Sequence, residues 1–99
     1  MGGLFSMTPG AVDLSAVAEA GISEEMAATT AAGAAALTGV LPMAADADSV
    51  EFAAALNAAG AAYLATSTEH VGQRAGFAGA QGIASVTTTA VETINAGLL

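Results

Sequence analysis

The chain has 99 residues, nine Asp or Glu against one Arg and no Lys, and a formal net charge of −8. So short a chain makes one domain at most. Lacking any basic patch to neutralise phosphates, it is excluded from nucleic-acid binding and from electrostatic docking on anionic lipid.

The hydrophobic fraction is 55%, but 28 of those residues are Ala, and Leu, Ile, Val and Phe together number only 21. Alanine buries little area. Ordering the chain costs roughly 1.5 kcal/mol per residue, and small domains bury a poor share of their surface. The composition therefore predicts a chain that completes its core with another protein. Cysteine is absent, which removes disulfides and thiolate chemistry.

In chain order, Met1 to Met7 is short, apolar and Gly-rich and is expected to fray. Met1 to Gly10 holds no Lys or Arg, so no positively charged n-region of a Sec or Tat signal is read there. Thr8-Pro9 is a helix start, with Thr as cap and Pro at the first helical position. Asp13 follows in the first turns, where a negative charge suits the helix dipole. A first helix is predicted over about 9–37. Its larger apolar residues are Leu14, Val17, Ile22, Met26 and Leu37, with Thr30, Gly33 and Ala34 between them at helical spacing.

Gly39 and Pro42 break the pattern, so Thr38 to about residue 47 reads as a link. Asp46, Asp48 and Ser49 offer N-caps, and Glu51 three residues after Asp48 resembles a capping box with Asp in place of Ser or Thr. A second helix is predicted over about 48–80. Its stripe is Val50, Ala53, Leu56 or Asn57, Gly60, Tyr63, Leu64, Ser67, Val71 and Arg74. Gly76, Gly79 and Gly82 each cost roughly 1 kcal/mol in a helix relative to Ala. The segment from Ile83 is rich in Thr and β-branched residues. A weakly ordered tail is therefore expected over about 83–99. The uncharged window Met26 to Ala45 has the length of a membrane span but is made of Ala, Gly and Thr around Pro42.

No constellation carries chemistry. His70 is the only His and has no Cys or second His to share a metal. Asp46, Asp48 and Glu51 lack the further acids and the Gly of a calcium loop and read as helix caps. The triplet Gly76, Gly79, Gly82 lacks the Lys and the preceding strand of a phosphate loop. There is no nucleophile elbow and no Ser/His/Asp set. Catalytic residues, metal ligands, cofactors and a small-molecule substrate are thus none. Arg74, the one fixed cation, is expected to pair with an acid of this chain or of a partner. Phe52 and Tyr63, aromatic among alanines, serve either as interface anchors or as fillers of the hairpin's own core.

An Ala-rich helix, a Pro-containing link and a second Ala-rich helix resemble the PE proteins of mycobacteria. The telling segment is TGVLPMAADADSVEF, Thr38 to Phe52, in which Thr38, Val40, Pro42, Ala44, Ala45 and Asp46 fit a stretch typical of PE domains. Gln73-Arg74-Ala75-Gly76 resembles a segment near the end of their second helix. Two departures stand out. The name-giving Pro-Glu is here Pro9-Gly10. The Tyr-x-x-x-Asp/Glu export signal aligns with Val86 and Ala90, or, shifted, with Thr88 and Glu92, which keeps the acid without the ring.

The resemblance implies an all-α, long antiparallel hairpin that completes a four-helix bundle with a PPE-family protein. It further implies an EspG-type chaperone acting through that partner, and export of the folded pair by a type VII (ESX) system from the cytoplasm to the envelope or beyond. The residues expected at the partner interface are Leu14, Val17, Ile22, Met26, Leu37, Val50, Phe52, Leu56, Tyr63, Leu64 and Val71. Two other readings stay open: a homodimeric bundle of self-associating hairpins, and an amphipathic protein acting on the envelope membrane.

Overall fold

Pro9 occupies the first position of a helix, where a missing N–H costs nothing. The Thr8 carbonyl before it accepts the N–H groups of Ala11 and Val12 at 3.1 and 3.2 Å. In the computed structural model, which describes residues 6–98, helix α1 spans Pro9–Thr38 and helix α2 spans Ala47–Gly97. The two pack as a hairpin, and no strand occurs among the described residues. The fraying expected at the start of the chain falls, for residues 1–5, outside the described part, as does residue 99 of the expected tail.

The link is held at both ends. Asn57 grips Val40 with its whole amide: Oδ1 accepts the Val40 N–H at 2.8 Å, and Nδ2 donates to the Val40 carbonyl at 3.0 Å. Asp46 caps α2. Its Oδ1 accepts the Ser49 N–H at 2.7 Å, its Oδ2 accepts the Ser49 hydroxyl at 3.1 Å, and its carbonyl accepts the Val50 N–H at 3.2 Å. The sequence offers several caps here. The one used is Asp46 with Ser49 three residues on, the spacing at which a cap side chain reaches an orphan N–H of the first turn.

Helix α2 runs on to Gly97, well past the end near 80 that the sequence suggests. Within the β-branched run two hydroxyls bond back along the helix, Thr89 to the Ser85 carbonyl and Thr93 to the Thr89 carbonyl, both at 2.9 Å, which satisfies them without favouring the helix. The same stretch is also anchored to α1. Buried Ser85 donates to the Pro9 carbonyl at 3.3 Å, and the Gln81 amide donates to Ser15 Oγ at 2.8 Å. Tertiary contact overrides a weak local preference.

Contacts divide the chain into two compact units, Glu24–Gly72 and Met1–Ser23 with Gln73–Leu99. In the first, Met26, Thr30, Gly33, Ala34 and Leu37 of α1 and Ala53, Asn57, Gly60, Leu64, Ser67 and Val71 of α2 are buried or half-buried. The Thr30 and Ser67 hydroxyls meet at 2.8 Å. At Gly60 the helices come close, because a Cβ there would overlap the Leu37 carbonyl. In the second, Pro9, Val12, Ala16, Glu19 and Ser23 of α1 and Arg74, Ala78, Gln81, Ser85 and Thr88 of α2 are buried or half-buried. Along α2 the buried and half-buried positions 53, 57, 60, 64, 67, 71, 74, 78, 81, 85 and 88 alternate by four and three residues. That 3.5-residue period is the signature of coiled-coil packing.

Candidate partner-binding surface

What fills the seam is unusual for a helical hairpin. The buried residues among those described are Ser23, Ala53, Gly60, Ala78 and Ser85, all small. No large side chain is fully buried among them. Asn57, Ser67, Arg74 and Gln81 take seam positions that an apolar core would give to Leu. The close approach is local: at Gly60 a Cβ would overlap the Leu37 carbonyl, while Leu37, Leu64 and Val71 are half-buried at other seam positions.

Many of the large apolar residues point elsewhere. Leu56, Tyr63, Phe77 and Val91 of α2 and Leu98 just past its end are all exposed and stand at multiples of seven residues from one another. The intervening seventh positions are His70 and Ala84, so none of the seven carries a fixed charge. Phe52 and Ile94 precede Leu56 and Leu98 by four residues, one helical turn back, and are exposed too. On α1, Leu14, Val17 and Ile22 are exposed.

The interface residues expected from the sequence fall into two groups. Leu14, Val17, Ile22, Val50, Phe52, Leu56 and Tyr63 lie on the outside, Tyr63 with 60% of its surface exposed. Met26, Leu37, Leu64 and Val71 are half-buried in the seam. Where the sequence leaves a choice of Leu56 or Asn57, the seam takes Asn57. Of the neighbours Tyr63 and Leu64 it takes Leu64. Phe77, Ile83, Val91, Ile94 and Leu98 are further exposed apolar residues outside the expected set. Of these, Phe77, Val91 and Leu98 share the seven-residue recurrence of Leu56 and Tyr63, and the last two lie beyond the expected end of the helix near 80.

Beside the Thr30–Ser67 pair runs an apolar groove of about 290 Å³ lined by Ala27, Thr30, Ala31, Ala34, Leu64, Thr68 and Val71. Arg74 pairs with Glu19 of this chain, Nη1 to Oε2 at 2.8 Å, both side chains being roughly a quarter to a third exposed. Asp46 has its carboxyl held below the usual range by the Ser49 N–H and then the Ser49 hydroxyl, which favour the anion. His70 is exposed. Among the described residues no three His, Cys, Asp or Glu come together to hold a metal ion, and no helix is long and apolar enough to cross a membrane. The export positions all lie within helical α2: Val86, Ala90 and Glu92 are exposed, and Thr88 is half-buried.

A family model described as the PE family matches residues 5–95. No curated protein and no solved structure matches the chain.

Proposed function

The chain belongs to the PE family, and from that premise we propose that it is a non-enzymatic pairing protein whose outward apolar residues dock on a helical PPE-family partner. Pairing with a PPE protein and type VII export are known for the family. For this chain the supporting observation is the inverted distribution of its side chains. Small and polar residues hold the hairpin together, while Leu56, Tyr63 and Phe77 face outward at coiled-coil spacing. Such a stripe matches a helix of like period, which completes a four-helix bundle by knobs-into-holes packing. Leu64 and Val71, which line the groove, act mainly by holding the hairpin's shape. The pair then leaves the cytoplasm through an ESX machine, with an EspG-type chaperone engaging the partner. Val86, Ala90, Thr88 and Glu92 stand where the family's export signal would lie, on a helical surface able to be read.

The test is co-expression with PPE-family proteins from the same genome, followed by size-exclusion light scattering and circular dichroism. A 1:1 complex, with helix content well above that of the chain alone, is the expected result. A stable homodimer that binds no PPE protein would overturn the reading in favour of self-association. Partition onto lipid vesicles without a partner would overturn it in favour of a membrane-active protein.

A further inference from the structure

The link between the helices poses a separate question. Leu41 and Met43 are 81% and 93% exposed, so they add almost nothing to the hairpin's own stability. They are nonetheless on a fixed segment, pinned by the Asn57–Val40 clamp at one end and the Asp46–Ser49 cap at the other. Together with Val40, Phe52 and Leu56 they wall a pocket of about 350 Å³ whose lining is mostly apolar, with Asp48 at its edge. That is the small end of the range for ligand pockets and suits an inserted side chain. Because the walls are already ordered, docking there loses little conformational freedom.

Charge says what kind of side chain. The unit Glu24–Gly72 contains six acids, Glu24, Glu25, Asp46, Asp48, Glu51 and Glu69, and no Lys or Arg, so it carries −6 of the chain's −8. Asp46, Asp48 and Glu51 stand within a few residues of Met43 and Phe52. The tip adjoins the seven-residue stripe of α2, sharing Leu56 with it; what sets the tip apart is Asp48 in the pocket lining, with Glu51 three residues on. We propose that the tip of the hairpin is a second docking surface, which takes a large apolar side chain flanked by Lys or Arg from another protein. The basic flanks meet Asp48 and Glu51, and the apolar side chain enters between Met43 and Phe52. Electrostatic complementarity of this kind mainly sets encounter rate and specificity, while the apolar insertion holds the complex. This proposal does not rest on the pairing reading.

The probe is a helical peptide with a Leu-Phe pair set between Lys pairs, titrated into the full chain, alone and bound to its PPE partner, at fixed ionic strength. Isothermal titration calorimetry reads binding in every variant, and the Met43 methyl resonance places the contact where Met43 is present. The expected result is saturable binding that weakens at least ten-fold when the peptide's Leu-Phe becomes Ala-Ala. It also weakens at least ten-fold in Leu41→Ser with Met43→Ser, and in Asp48→Asn with Glu51→Gln. Circular dichroism checks that these variants keep their helix content, as exposed link and helix-surface positions should. Equal binding of the two peptides overturns the proposal because charge alone then explains the contact, and equal binding to either variant overturns it because the tip residues then play no part. So does loss of binding once the PPE partner is bound, which would make the tip part of the pairing interface. If no PPE protein binds at all, the pairing reading fails while the peptide result stands or falls by itself.

Discussion

The same substitution, Gly to Ala, should have opposite effects at Gly60 and Gly76. Both lie inside α2, where Ala is favoured over Gly by about 1 kcal/mol. At Gly76 nothing lies within 4 Å of the added Cβ, so that gain is realised in full. At Gly60 the Cβ would overlap the Leu37 carbonyl, and the obstacle is backbone, which cannot rotate aside. Overpacking of this kind costs about 1–3 kcal/mol, and a backbone obstacle belongs at the upper end. Moving α1 away also strains the two Asn57–Val40 bonds, worth about 1 kcal/mol each. Net of the propensity gain, Gly60→Ala should destabilise by about 2–3 kcal/mol. In a domain this size 1 kcal/mol shifts Tm by roughly 4–8 °C. Gly60→Ala should thus lower Tm by about 10 °C or more, and Gly76→Ala should raise it by several degrees. Thermal unfolding at 222 nm, on the free chain and on the chain bound to its partner, reads both. If Gly60→Ala stabilises as much as Gly76→Ala, the close approach of the helices is wrong.

Three further outcomes are expected. A double-mutant cycle with Arg74→Ala and Glu19→Ala should give a coupling of about 0.5–1 kcal/mol that shrinks in high salt, because the pair is only partly buried; zero coupling at low salt would mean that the pair contributes nothing. Asp46 has a depressed folded pKa, so its share of stability is full above the unfolded value near 3.8 and is lost as pH falls through the folded value. Asp46→Asn should therefore flatten part of the acid limb of helix content below about pH 4, and an unchanged acid titration would remove the cap from the account. Tyr63→Ser and Phe77→Ser, both at exposed positions, should each weaken pairing at least ten-fold while leaving the free chain's helix content intact; undiminished affinity in both would move the interface elsewhere.

Much of the fold could be read from punctuation. Pro9 marks a start, Gly39 and Pro42 mark a break, and the Ala-rich runs between them carry helical spacing. The length of α2 was hidden because Thr87 to Thr89 and Val91 look like strand formers. What holds this stretch helical is tertiary contact with α1, through the Ser85 bond to Pro9, 76 residues away in the chain, and the Gln81 bond to Ser15. The surface was harder. The rule that larger apolar residues go inside would choose Leu56 over Asn57, and the seam takes the reverse. Asn57 faces in because its amide pairs both the N–H and the carbonyl of Val40 in the link, which Leu cannot do.

A seam of small residues solves one difficulty and creates another. It brings two helices close, but alanine stripes look alike from one heptad to the next. A slip of seven residues, about 10 Å along the axis, would change the buried apolar area very little. The polar pairs prevent this. Thr30 with Ser67, Glu19 with Arg74, Ser15 with Gln81, and Val40 with Asn57 each have one matching level. A one-heptad slip would break all four: Thr30 would face Gly60 or Arg74 and Glu19 would face Ser67 or Gln81, and a polar group left buried without a partner costs about 1–3 kcal/mol. Polar seam residues thus fix the register that apolar packing leaves loose, as buried polar residues do in coiled coils. Register in turn decides which of the outward side chains stand level with one another. The polar pairs inside the hairpin therefore determine the surface that a partner helix meets outside it.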